Sequence, residues 1–141
     1  MRRALAAVAL VAAACETDDV GKPCPALEIP TEAAASNGGD VMVAQGSEVV
    51  EYNTDFPCRD IVCVATPGRG AYCSRECATD GNCPSAFACE VVMDFGPFAG
   101  RTYCVWRPCT DDADCGDANT YTCEEVPELT LEETVMLCDW L

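Results

Sequence analysis

The sequence predicts a small disulfide-rich fold of short β-hairpins and irregular loops, with little helix beyond an amino-terminal signal peptide. Three observations predict it. Thirteen cysteines among 141 residues are the density of a disulfide scaffold, and an oxidising compartment is the natural place to keep them. Between the cysteines lie short runs of β-branched and aromatic residues broken by Gly, Pro and Asp, the composition of strands and turns. The aromatic complement, four Phe, four Tyr and two Trp, is too small to give a chain of this size a sufficient core. Crosslinks, each contributing about 2–4 kcal/mol by restricting the unfolded chain, are therefore expected to decide whether it folds.

Residues 1–14 read as the signal peptide. Arg2 and Arg3 precede an apolar run from Ala4 to Ala14, which is too short to span a bilayer as a helix, since that takes about twenty residues. Residues 15–23 read as a separate segment, Cys15 followed by a flexible polar tether, Glu16 to Pro23. Arithmetic supports setting Cys15 apart: the remaining twelve cysteines are an even number and can all pair.

Residues 24–57 read as a partly ordered extended or hairpin segment. Pro25 to Asn37 is rich in alanine, acids and proline, and Gly38-Gly39 is a turn signal. Val41–Ala44 and Glu48–Tyr52 read as strands flanking a Gln45-Gly46-Ser47 turn. Thirty-three residues lie between Cys24 and Cys58, and Cys24 is expected to staple this segment to the core.

From Cys58 the chain becomes regular. Cys77-x5-Cys83-x5-Cys89-x14-Cys104 is echoed by Cys109-x5-Cys115-x7-Cys123-x14-Cys138. Phe87-Ala88-Cys89-Glu90 matches Tyr121-Thr122-Cys123-Glu124. Such an internal repeat takes priority in a fold assignment, and it predicts two stacked modules, 58–108 and 109–141. Cys63–Cys73 and Cys89–Cys104 read as β-hairpins. Cys123–Cys138 is open between a hairpin and a helical turn capped by Thr130 and Glu133. Pairing is expected within Cys58, Cys63, Cys73, Cys77, Cys83, Cys89 and Cys104 and within Cys109, Cys115, Cys123 and Cys138, with Cys24 crossing to the hairpin region. The final pair, Trp140 and Leu141, is expected to close over the core.

Composition narrows the chemistry. Twenty-four acidic residues against eight basic ones repel phosphate backbones and argue against nucleic acid. The chain has no histidine and no Cys-x-x-Cys, so zinc ligation, Ser-His or Cys-His nucleophiles and dithiol redox catalysis all lack their usual parts. No cofactor and no catalytic residue is expected. Asp111, Asp112, Asp114 and Asp117 form the densest carboxylate cluster and are a candidate calcium site, but lack the spacing and central glycine of a calcium loop. The competing reading is that aspartates accept backbone N–H groups in tight turns. Asp80 and Asp112, each three residues after a cysteine, suit that role. Phe95, Phe98, Arg101, Trp106 and Arg107 are the candidate surface patch for an extracellular protein or glycan partner.

Two resemblances follow from these motifs. Val11-Ala12-Ala13-Ala14-Cys15 resembles the lipobox of bacterial lipoproteins, which implies acylation of Cys15 and a lipid bilayer as partner. Glu16 after the cysteine implies, by the same resemblance, sorting to the outer membrane. The Cys-x-x-Asp-x-x-Cys spacing of Cys77–Cys83 and Cys109–Cys115 is similar to the Dickkopf amino-terminal cysteine-rich region and, more loosely, to the whey-acidic-protein core. The adjacent Cys-Cys pair of those modules is missing, so their functions are not carried over. As a whole the chain resembles cysteine-rich lipoproteins of myxobacteria and related deltaproteobacteria. The expectation is a lipid-anchored envelope protein that binds or adheres, or else serves a purely structural role.

Overall fold

In a computed structural model of the chain, the described residues are 18–25, 27, 34–37, 40–43, 48–67, 69–127 and 134–141. The signal peptide, Cys15 and the Thr130–Glu133 cap lie outside them. Nine strands are described: β1 Ala34–Asn37, β2 Asp40–Val43, β3 Val49–Tyr52, β4 Val62–Ala65, β5 Tyr72–Ser74, β6 Phe87–Val91, β7 Thr102–Trp106, β8 Tyr121–Pro127 and β9 Thr134–Trp140. Helical structure among the described residues is confined to two 3-10 turns, Asp80–Asn82 and Asp112–Cys115. The chain is thus a disulfide-rich domain of antiparallel hairpins. Cys123 and Cys138 are register partners in β8–β9, so the last loop is a hairpin.

The pairing of the early strands differs from expectation. β2 does not turn back onto β3; it pairs with β1, and β3 pairs with β4. The β1–β2 register runs from Ala34 opposite Val43 to Asn37 opposite Asp40. β3 is drawn to β4 because Val50, opposite Val64, enters the main core.

The disulfides are Cys24–Cys63, Cys58–Cys73, Cys77–Cys89, Cys83–Cys104, Cys109–Cys123 and Cys115–Cys138. Taken in fours, the cysteines pair first to third and second to fourth every time, which makes three repeats where the spacing suggested two. The backbone repeats with them. In each repeat the third and fourth cysteines are cross-strand partners: Cys63 and Cys73, Cys89 and Cys104, Cys123 and Cys138. The residue before the first cysteine bridges the residue before the fourth: Pro23 to Tyr72, Glu76 to Tyr103, Pro108 to Leu137. The N–H groups of Cys73, Cys104 and Cys138 donate to the carbonyls of Lys22, Arg75 and Arg107 at 2.8, 3.0 and 2.9 Å. Each repeat is therefore a hairpin with a short third strand running into its first cysteine.

This assignment moves the module boundaries. Cys58, Cys63 and Cys73 belong with Cys24, not with Cys77 onward, and the segment between Cys24 and Cys58 is an insertion within the first repeat. It also corrects the tether. In place of the flexible tether expected over 18–23, residues 18–22 turn against the body and 21–24 run as the third strand of the first repeat: Gly21 N donates to the Cys73 carbonyl and Cys24 N to that of Ala71, both at 2.8 Å. Val20 is wholly buried in the main core. Gly21, at φ 90°, lies so close to Phe87 and Trp106 that a Cβ would stand 2.5 Å from the Phe87 ring, a conformation and a space that suit glycine alone.

Aromatic rings join the repeats. Trp106 stacks on Phe87 at 4.2 Å and meets Tyr72, Tyr121 and Trp140 at 6.2, 6.4 and 6.1 Å. The Arg69 guanidinium lies 5.1 Å from the centre of a Trp106 ring and pairs with Asp139 at 2.5 Å, tying the first hairpin to the last strand. Trp140 closes over this cluster through Tyr121 at 4.7 Å, whereas Leu141 stays exposed, beyond the last strand.

Candidate functional site

The acidic cluster resolves into turn geometry. Asp111 Oδ1 accepts from Ala113 N at 2.9 Å. Asp112 Oδ1 accepts from Cys123 N and the Thr122 hydroxyl at 2.8 and 3.1 Å. Asp114 Oδ2 accepts from Thr110 N, the Thr110 hydroxyl and Asp111 N. Asp117 accepts from Asn119 and from the Thr120 hydroxyl. These donors, the Thr110 N–H first, hold the Asp114 carboxyl below its ordinary 3.8; the Thr120 hydroxyl does most to lower Asp117. Calcium would need six to eight oxygens converging on one point. Among the described residues, the groups of potential ligands close enough to share an ion are three sets of cysteines, one per repeat, all in disulfides. In this arrangement the four carboxylates brace turns.

The second repeat has the same brace with different chemistry. Asp80 Oδ1 accepts from Cys89 N at 2.9 Å, as Asp112 does from Cys123 N. Asn82 Oδ1 accepts from Ala78 N and Thr79 N at 3.1 Å, where Asp114 stands in the third repeat.

The aromatic and arginine patch is also dispersed. Trp106 is buried at 6% exposure, because it is the ring on which the repeats converge. Arg107 donates to the Phe87 carbonyl at 3.0 Å and pairs with Asp80 at 3.3 Å. Phe98 is half-buried against Tyr52, 5.2 Å between centroids, with Arg101 at 5.8 Å. Phe95, at 70% exposure on the same β6–β7 turn, remains the prominent exposed ring. The five residues do not make one surface.

A cleft that the sequence did not reveal lies elsewhere. It encloses about 400 Å³ between the first hairpin, β6–β7 and β9, within the range of small-ligand and side-chain pockets. Val91, Val92, Val105, Val135 and Leu137 line it, with Trp106, Pro67 and Pro108. Its polar groups are Glu48, Glu90 and Thr66. The Thr66 and Tyr72 hydroxyls are hydrogen-bonded at 3.0 Å, and burial raises the Tyr72 phenol well above its ordinary value. Among the described residues that line it, none is lysine or arginine. No protein-family model, curated protein or solved structure matches the chain.

Proposed function

We propose that the protein is a lipid-anchored lipoprotein of the cell envelope, in the outer membrane, and acts as a binding module without catalytic activity. One observation supports the anchor above the others. The six disulfides use every cysteine from Cys24 to Cys138, so the thirteenth, Cys15 at the end of the apolar run, has no cysteine partner in its own chain. A lone thiol in an oxidising compartment is a liability; acylation removes it and, with more than one chain attached, anchors stably.

The cleft is the recognition surface in this reading. Valine side chains make the walls apolar, and the Glu90 carboxylate supplies negative charge at the lining. That chemistry suits a protein segment with a lysine or arginine among apolar residues, and is poor for a glycan, whose hydroxyls would find few partners.

Intact and non-reducing mass spectrometry of the exported protein tests the anchor. Acyl mass on Cys15 and twelve oxidised cysteines are expected; an unmodified amino terminus overturns it. Titration with a Leu-Lys-Leu peptide, read by tryptophan fluorescence, tests the cleft. Saturable binding weakened by Glu90→Gln is expected, and binding indifferent to that substitution rejects the assignment.

A further inference from the structure

The body of this protein begins almost immediately after Cys15. Asp18 is already tied to it, through an ion pair with Arg75, and Asp19 accepts from Arg59 N at 2.5 Å. Val20 is buried and residues 21–24 are hydrogen-bonded to the strand bearing Cys73. The Cys24–Cys63 disulfide then locks the segment in place. Peeling it away would expose Val20 and the rings packed against Gly21, so it does not serve as a stalk.

We propose that the acylated protein lies directly on the bilayer, with the face around Asp18, Lys22, Arg59 and Arg75 against the lipid headgroups. This rests on the anchoring of Cys15 proposed above. Asp18 stands three positions after Cys15, and a fully extended chain covers at most about 3.3–3.6 Å per residue. The body is held within about 10 Å of its acyl group, close to the screening length of physiological salt.

Charge is distributed to match. Beyond Cys15 the chain has six basic residues, and three of them, Lys22, Arg59 and Arg75, gather around this entry segment. Lys22 and Arg59 are exposed, and Arg75 is partly so. Asp18 and Asp19 offset most of this charge, which leaves the face near neutral where acidic residues dominate elsewhere, so it is the face that an anionic headgroup layer repels least. The bilayer is thus a contact surface of the folded domain as well as the place where its lipid is buried.

Lys22 is the single lysine of the chain, so amine acetylation followed by mass spectrometry reports on this face. The experiment compares the acylated full chain in detergent with the same protein on phosphatidylcholine vesicles containing phosphatidylglycerol. Labelling of Lys22 is expected to fall several-fold on vesicles. A Gly-Ser insertion of about twelve residues between Thr17 and Asp18, spanning about 20 Å on average, is expected to restore it. Equal labelling in detergent and on vesicles, with acyl mass present, overturns the docked arrangement and leaves the anchor standing. Protection that persists with the spacer overturns the short-tether argument, and absence of acyl mass overturns anchor and arrangement together.

Discussion

In the second and third repeats the residue two places before the third cysteine is aromatic, Phe87 and Tyr121. Each stacks on an indole across the hairpin, Trp106 and Trp140, at 4.2 and 4.7 Å. In the first repeat those two places hold Ile61 and Arg75; Ile61 is 40% exposed at φ 53° and Arg75 pairs with Asp18. The first repeat covers its disulfides differently. Cys24, Cys58, Cys63 and Cys73 are all buried in a second cluster with Leu27, Phe56 and Ala65, whereas Cys83, Cys89 and Cys123 are only partly buried. Leu27 and Phe56 come from the insertion. One disulfide-and-backbone unit thus tolerates two kinds of apolar cover: aromatic pairs where the loop between the first two cysteines is short, an inserted segment where it is long.

The largest test removes the ring that all three repeats share. Trp106→Ala is expected to destabilise by about 3–5 kcal/mol, the usual cost of emptying a buried aromatic site. The half-buried Trp140→Ala should cost less. Denaturant unfolding of the oxidised protein checks the order, and equal losses would deny Trp106 its central place.

Crosslinks sharpen the contrast. Replacing Cys24 and Cys63 by alanine opens a separation of 39 residues, against 12 for Cys77 and Cys89. Loop-closure entropy predicts losses of about 4 and about 3 kcal/mol respectively. The reverse order would mean that the insertion adds little restraint of its own.

Acid separates the second repeat from the third. Asp114 titrates and Asn82, its counterpart, does not. Because the folded carboxyl lies below its ordinary 3.8, its contribution is complete above that value and is lost as pH falls through the lower, folded one. Asp114→Asn, which keeps an acceptor oxygen, is expected to flatten the acid limb of a plot of thermal midpoint against pH. An unchanged limb would assign acid sensitivity to other carboxylates.

The smallest effect is expected at Ile61. A β-branched residue at positive φ is unfavourable by about 1–2 kcal/mol, and asparagine tolerates that conformation better. Ile61→Asn should raise stability by up to about 1 kcal/mol, part of the relief being offset by lost apolar contact. A thermal midpoint below that of the parent would show that Ile61 contributes packing that its exposure conceals.

Much of the fold was legible because disulfide modules write themselves in spacing. The echo of Cys77–Cys104 in Cys109–Cys138 gave two repeats, and Asp80 and Asp112 could be read as turn braces from their distance to a cysteine. The first repeat was hidden because thirty-three residues lie between its first two cysteines, where its siblings have five. Its hairpin loop is also shorter. Of the candidate sites, the carboxylate cluster was readable as turn chemistry, while the aromatic patch was not, since sequence proximity to Cys104 says nothing about which side of β7 faces the core. The cleft left no local signal, because its walls come from three repeats.

By itself the sequence determined what depends on neighbours along the chain: strand positions, turn residues, the cysteine arithmetic that leaves Cys15 over, and the acidic surface. Tertiary structure alone decided the partner of β2, the burial of Trp106, the apolar cleft and the docking of residues 18–24 where a tether was expected. The physical reason is the same in each case. A short apolar or polar run specifies a strand or a turn locally, but which surface covers it depends on segments tens of residues away, brought together by the crosslinks.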